Sequence, residues 1–80
     1  MIKKPEFIKF NGNFYKLENV SYLGDIYYIL DENGFDLYGF EVTIDGETHL
    51  LTNIDKEKVT KAYNLFLEHI YNNTIINIDQ

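Results

Sequence analysis

The hydrophobic positions between residues 55 and 71 repeat with the period of an α-helix. They form a stripe that an amphipathic helix turns toward a core, namely Val59, Ala62, Tyr63, Phe66, Leu67, Ile70 and Tyr71. Asp55 precedes the stripe at the position where an N-cap side chain accepts hydrogen bonds from free amides. Leu65 projects away from it, which favours either an exposed leucine or a contact with a partner or with the C-terminal tail. The pattern predicts one main helix over about residues 55–71.

The remaining residues alternate apolar and polar positions over short runs separated by X-Gly pairs. These pairs are Asn11-Gly12, Asn33-Gly34 and Asp45-Gly46. Each favours a two-residue type I′ turn, because both central residues of that turn need positive φ. Residues 74–80 are interpreted either as a further strand or as a frayed end. The sequence therefore predicts one α+β domain over residues 1–80, an antiparallel β-meander of four to six strands with the helix packed on one face.

Two-residue turns also fix the register and so assign each side chain to a face of the sheet. The face predicted to meet the helix holds Tyr27, Ile29, Tyr38, Phe40, Val42, Ile44, His49 and Leu51. The other face holds Ile26, Tyr28, Leu30, Leu37, Gly39, Glu41, Thr43, Thr48 and Leu50. That second face would expose an apolar patch unless the first hairpin, the tail or a partner covers it. A glycine in mid-strand, Gly39, indicates a bulge or a close approach of a neighbour.

The charge of the chain, −6 over 80 residues, is unevenly distributed. All seven lysines lie outside residues 17–55, and nine acids lie within that stretch: Glu18, Asp25, Asp31, Glu32, Asp36, Glu41, Asp45, Glu47 and Asp55. Such a field repels phosphate backbones and attracts a basic partner. The alternative interpretation is that the acids only keep a small, aromatic-rich domain in solution.

The sequence contains no pattern typical of catalysis or of cofactor binding. His49 and His69 lack metal-ligand spacing, Ser21 has no activating neighbour, and residues 31–36 lack the order of a calcium loop. There is no cysteine for disulfide or thiolate chemistry. No apolar run has the length of a membrane span or the form of a signal peptide. We therefore expect a non-enzymatic cytoplasmic protein without metal or cofactor, which binds neither nucleic acid nor membrane directly.

Seven tyrosines accompany the acids, and exposed tyrosine is typical of protein-binding surfaces. The alternative is that these tyrosines are only strand-forming residues. The candidate partner-binding residues are Asp25, Tyr28, Asp31, Glu32, Asp36, Glu41, Asp45 and Glu47. The expected partner is a protein with a basic surface. The alternative function is a structural domain that forms a homodimer through its second apolar sheet face.

In size, acidity and meander-plus-helix layout, the chain resembles small phage and mobile-element proteins that bind a host protein. Anti-CRISPR and other anti-defence inhibitors are the best-known group. The resemblance concerns the layout of the whole chain and involves no shared motif. It implies an inhibitor of a basic, nucleic-acid-handling host protein such as a CRISPR effector, acting in the host cytoplasm. The acids would stand where phosphates lie in the target, with Asp31, Glu32 and Asp36 at one turn and Asp45 and Glu47 at the next.

Overall fold

Six strands and one helix form the described part of the chain, residues 6–71 of a computed structural model. In chain order they are β1 (Phe7–Phe10), β2 (Asn13–Lys16), β3 (Val20–Leu23), β4 (Tyr27–Leu30), β5 (Asp36–Ile44), β6 (Glu47–Asn53) and α1 (Lys56–Tyr71). The predicted α+β class, the antiparallel pairing and the helix are confirmed. The strand or frayed end expected at residues 74–80 lies outside the described residues.

The longest strand, β5, lies at the centre of the main sheet. It pairs with β6 over residues 38–44 along one edge. Along its other edge it pairs first with β4, over residues 36–39, and then with β3, over residues 42–44. The strands β3 and β4 therefore lie end to end beside β5, whereas β1 and β2 form a separate two-stranded hairpin.

Two of the three X-Gly turns have the predicted conformation. Asn11 and Gly12 have φ of 51° and 84°, and Asp45 and Gly46 have φ of 52° and 81°. The flanking residues pair as two-residue turns require, with Phe10 opposite Asn13. Paired positive φ values are the mark of type I′ turns, whose twist matches that of the strands they join.

The prediction for the third turn, at Asn33-Gly34, is wrong, because the loop is one residue longer than a two-residue turn. Only Gly34 of the pair has positive φ, 81°. The Asp31 amide donates to the Phe35 carbonyl at 2.8 Å, and the Gly34 amide donates to the Asp31 carbonyl at 2.9 Å. These bonds close a three-residue loop, residues 32–34, of the kind in which a type I turn ends on a residue in the left-handed region.

A shift of one residue in a strand register moves every side chain to the opposite face. Tyr28 is opposite Tyr38, and Leu30 is opposite Asp36, so these side chains lie on the helix side of the sheet. Tyr27 and Ile29, which the sequence assigned to the core face, lie on the outer face instead. Ile26, assigned to the outer face, packs partly buried against the core.

The core lies between the main sheet, the helix and the first hairpin. Its buried side chains are Ile8, Phe10 and Leu17 from the hairpin region, Phe40, Val42, Ile44 and Leu51 from the sheet, and Val59, Ala62 and Phe66 from the helix. The ring of Phe40 meets those of Phe66 and Tyr63 edge-on, with centroids 6.1 and 5.4 Å apart. Such pairs contribute about 0.5–1.5 kcal/mol beyond area burial. Tyr71, at the end of the predicted stripe, is exposed.

The first hairpin packs beside the helix, on the helix side of the sheet, and does not cover the outer face. Its Ile8 and Phe10 reach the core, and Tyr15 meets the ring of His49 edge-on at 5.2 Å. Leu65 is half-buried against this core, so the alternative of an exposed leucine is wrong. The contact with the C-terminal tail that the pattern also allowed falls on residues outside the described part of the chain. Side chains of the hairpin and of α1 therefore share one core.

A chain of hydrogen bonds joins the hairpin turn, the end of β6 and the start of α1. Asn11 Nδ2 donates to the Thr52 carbonyl, and Asn53 Nδ2 donates to Asn11 Oδ1, both at 2.8 Å. The Asp55 amide donates to Asn53 Oδ1 at 2.8 Å, and the Glu57 amide donates to Asp55 Oδ1 at 3.0 Å. The last bond confirms Asp55 as the N-cap of the helix.

Candidate functional site

The loop between β4 and β5 carries acids and exposed apolar side chains at one end of the main sheet. Tyr28, Leu30 and Phe35 expose 55%, 64% and 58% of their surface. Asp31, Glu32 and Asp36 accompany them, and this six-residue stretch of chain, 31–36, contains no lysine. We call the group the β4–β5 turn surface, formed by Tyr28, Leu30, Asp31, Glu32, Phe35 and Asp36.

Hydrogen bonding and ring contacts fix the centre of the β4–β5 turn surface. The Tyr28 hydroxyl donates to Asp36 Oδ1 at 2.6 Å, and the bond raises the pKa of Tyr28 because it favours the protonated phenol beside a carboxylate. The Tyr28 ring lies against that of Tyr38, with centroids 5.8 Å apart. The Lys56 ammonium lies 5.7 Å from the centre of the Tyr38 ring. These contacts hold the exposed Tyr28 side chain in one orientation. A side chain that is already ordered loses less entropy when it makes a further contact.

The eight candidate residues do not form one site. Asp45 and Glu47 lie at the opposite end of β5 from Asp36, roughly 26 Å away at about 3.3 Å per residue. Glu41 is exposed in mid-strand on the outer face, opposite Leu50. The remaining candidates outside the turn surface therefore belong to separate regions.

Asp25 has a structural contact of its own. It lies in the loop between β3 and β4, and its Oδ1 accepts a hydrogen bond from the Tyr63 hydroxyl of the helix at 3.2 Å. Burial and this bond raise the pKa of Tyr63. The contact links the sheet to the helix and leaves Asp25 apart from the other candidate acids.

The outer face of the sheet exposes apolar side chains within the part of the chain that the structure describes. Tyr27 and Leu50 are exposed, and Ile29 and Leu37 are half-buried. Among residues 6–71 no element packs over this face. The predicted apolar patch is therefore present there, with Tyr27 and Ile29 in place of Ile26, Tyr28 and Leu30.

A groove with basic side chains runs between the first hairpin and the helix. It has a volume of about 580 Å³. Its apolar lining includes Phe7, Phe10 and Leu65, and its described lining residues include three lysines and no acid: Lys9, Lys58 and Lys61. We call it the hairpin–helix groove. The sequence has no local signal for this groove, because its lysines come from segments about 50 residues apart that only the fold brings together.

The described residues contain no cluster of three or more histidine, cysteine or acidic side chains that could hold a metal ion. The helix within the described residues is not long and apolar enough to cross a membrane. Comparisons of the chain with known protein families, with curated proteins and with solved structures find no match. The geometry of its surfaces is therefore the basis for any functional conclusion.

Proposed function

We propose that this protein is a non-catalytic binding module whose β4–β5 turn surface docks on a basic surface of another protein. The observation that carries the proposal is the Tyr28–Asp36 hydrogen bond at the base of a loop that also has exposed Leu30 and Phe35 and two further acids, Asp31 and Glu32. Large, oriented aromatic and apolar side chains supply contact area, and the acids favour a partner surface that carries lysine and arginine.

We propose further that only the acids at one end of the molecule act as mimics of phosphate groups. Asp31, Glu32 and Asp36 lie around one loop, whereas Asp45 and Glu47 lie at the far end of β5. We propose that the first group enters the nucleic-acid groove of a host protein and so inhibits it. Nucleic acid would then compete with this protein for the same basic surface, and affinity would fall steeply as salt rises.

The test compares two neutralised variants that lose the same number of charges. One carries Asp31→Asn, Glu32→Gln and Asp36→Asn at the turn surface. The matched control carries Glu18→Gln, Asp45→Asn and Glu47→Gln at the other end of the sheet. Each tagged variant is used to capture proteins from a bacterial lysate, with elution in a salt gradient and identification by mass spectrometry.

We expect the wild type and the control to retain the same basic protein, and the turn variant to lose it. An added competitor nucleic acid should release the captured protein at constant salt. Equal retention by both triple variants would contradict the proposal, because charge at the turn surface would then have no special role.

The outer face supports a second candidate function, a homodimer formed through apolar contact. Exposed Tyr27 and Leu50 beside Ile29 and Leu37 are the observation that favours it. A dimer of this kind should persist at high salt and dissociate on Leu50→Lys. A sedimentation mass of one chain at high concentration would exclude it.

A further inference from the structure

The hairpin–helix groove and the β4–β5 turn surface have complementary shape and charge. The groove is concave, with buried Ile8 and Phe10 in its lining, and its lining residues also include Lys9, Lys58 and Lys61. The turn surface protrudes at the end of the sheet, with Leu30 and Phe35 exposed beside three acids. Within the described residues, the groove lining contains no acid and residues 31–36 contain no lysine.

We infer that the β4–β5 turn of one molecule binds in the hairpin–helix groove of a second copy. Phe35 meets the apolar lining of the groove, and Asp31 and Glu32 meet its lysines. A membrane surface fits a concave groove poorly, because insertion into lipid requires a protruding apolar element.

The positions of the two surfaces favour a closed dimer over an open chain of molecules. Tyr38 packs on Tyr28 of the turn surface, and Tyr38 is also opposite Asn53, which lines the groove. Both surfaces therefore lie near the same end of the sheet. A two-fold axis between them lets the turn of each molecule occupy the groove of the other, so the contact is reciprocal and ends at two chains.

Charge reversal at each surface gives a test that needs only the purified protein. The groove variant carries Lys58→Glu and Lys61→Glu, and the turn variant carries Asp31→Lys and Glu32→Lys. In each variant alone, like charges face one another. In an equal mixture, each reversed surface meets a surface of opposite charge. The matched control, Glu18→Lys with Glu47→Lys, has the same change in net charge as the turn variant. Circular dichroism confirms that each variant is folded.

The readout is the mass by sedimentation and light scattering over a range of concentrations. In about 50 mM NaCl, where screening is weak, the wild type and the control should approach twice the 9.5 kDa of one chain. Each reversed variant alone should lose self-affinity by about tenfold or more, and the mixture should recover it. The single change Phe35→Ser should weaken the dimer without changing any charge.

Three results would overturn the inference: a wild type that stays a single chain at high concentration, reversed variants that dimerise normally, or a mixture that fails to recover. A dimer that is lost on Leu50→Lys but persists in both reversed variants would assign the contact to the outer face. The inference shares the turn surface with the proposed function but does not rest on it. The groove variant separates the two, because it should lose the dimer and still capture the basic partner.

Discussion

Replacing Asn11 with glycine would remove the side-chain link between the first hairpin and the junction of β6 with α1. Asn11 has φ 51° in its turn, a value that glycine adopts without steric cost. Asp45 provides a matched control, since it occupies the same position of the same turn type with φ 52°. Within the described residues its side chain makes no hydrogen bond. The two glycine substitutions therefore change the backbone alike and differ in the bonds they remove.

The expected difference follows from the two bonds that Asn11 makes, both 2.8 Å long and both exposed. The net contribution of one hydrogen bond to the free energy of unfolding is about 0.5–1.5 kcal/mol, and solvent exposure favours the lower value. The loss of both should therefore make Asn11→Gly about 1 kcal/mol less stable than Asp45→Gly. For a domain of this size, about 1 kcal/mol corresponds to a difference of about 4–8 °C in Tm.

The assay is thermal and urea unfolding of both variants, followed by circular dichroism. Asp45→Gly also removes a negative charge from an acidic chain, so the comparison is repeated in about 0.5 M NaCl, where the Debye length is about 4 Å. If Asn11→Gly proves as stable as Asp45→Gly under both conditions, the link contributes nothing. The position of the hairpin would then depend on its core and ring contacts, such as the burial of Ile8 and Phe10 and the Tyr15–His49 contact.

Three further predictions concern the sheet, the helix start and pH. Gly39→Ala should destabilise the fold by about 1–3 kcal/mol, measured by urea unfolding, because the added Cβ would lie 2.6 Å from Thr52 Cγ2 and 3.0 Å from the Leu51 carbonyl oxygen. Asp55→Ala should cost about 1 kcal/mol in the same assay by removal of the N-cap, and Asp55→Asn much less. The folded protein raises the pKa of Tyr63 above the usual 10.0. The protonated hydroxyl therefore contributes to the free energy of unfolding in full below pH 10.0, and this contribution is lost as pH rises through the folded pKa. Tyr63→Phe should therefore flatten the fall in stability above pH 10.0, and an unchanged profile would contradict this cause.

Local rules were sufficient for most of the fold. The helical stripe from Val59 to Phe66 and the N-cap at Asp55 follow from spacing and side-chain chemistry alone. The type I′ turns at residues 11–12 and 45–46 follow from the need for positive φ at two successive positions. The expected close approach at Gly39 is also confirmed, since a Cβ at this position would lie 2.6 Å from Thr52 Cγ2.

The third X-Gly pair shows why the candidate site was harder to predict. Asn33-Gly34 is compatible both with a two-residue turn and with a three-residue loop in which only Gly34 has positive φ. The sequence on either side is apolar in both registers, so periodicity does not decide between them. The hydrogen bonds of Asp31 decide in favour of the longer loop, and with it the side on which Tyr28 and Leu30 lie. The contact between distant segments that forms the hairpin–helix groove is not indicated by any local pattern in the sequence.

The length of the β4–β5 loop has an evolutionary consequence. Because one residue separates the two registers, the deletion of a single codon in residues 32–34 would exchange the faces of β4 and leave β5, β6 and the helix unchanged. Tyr28 and Leu30 would move to the outer face, and Tyr27 and Ile29 would take their places beside Tyr38. Variation in loop length would thus alter the β4–β5 turn surface without any amino-acid substitution. Under the proposed function, a variant with one residue fewer in this loop should bind a different partner while keeping the same core.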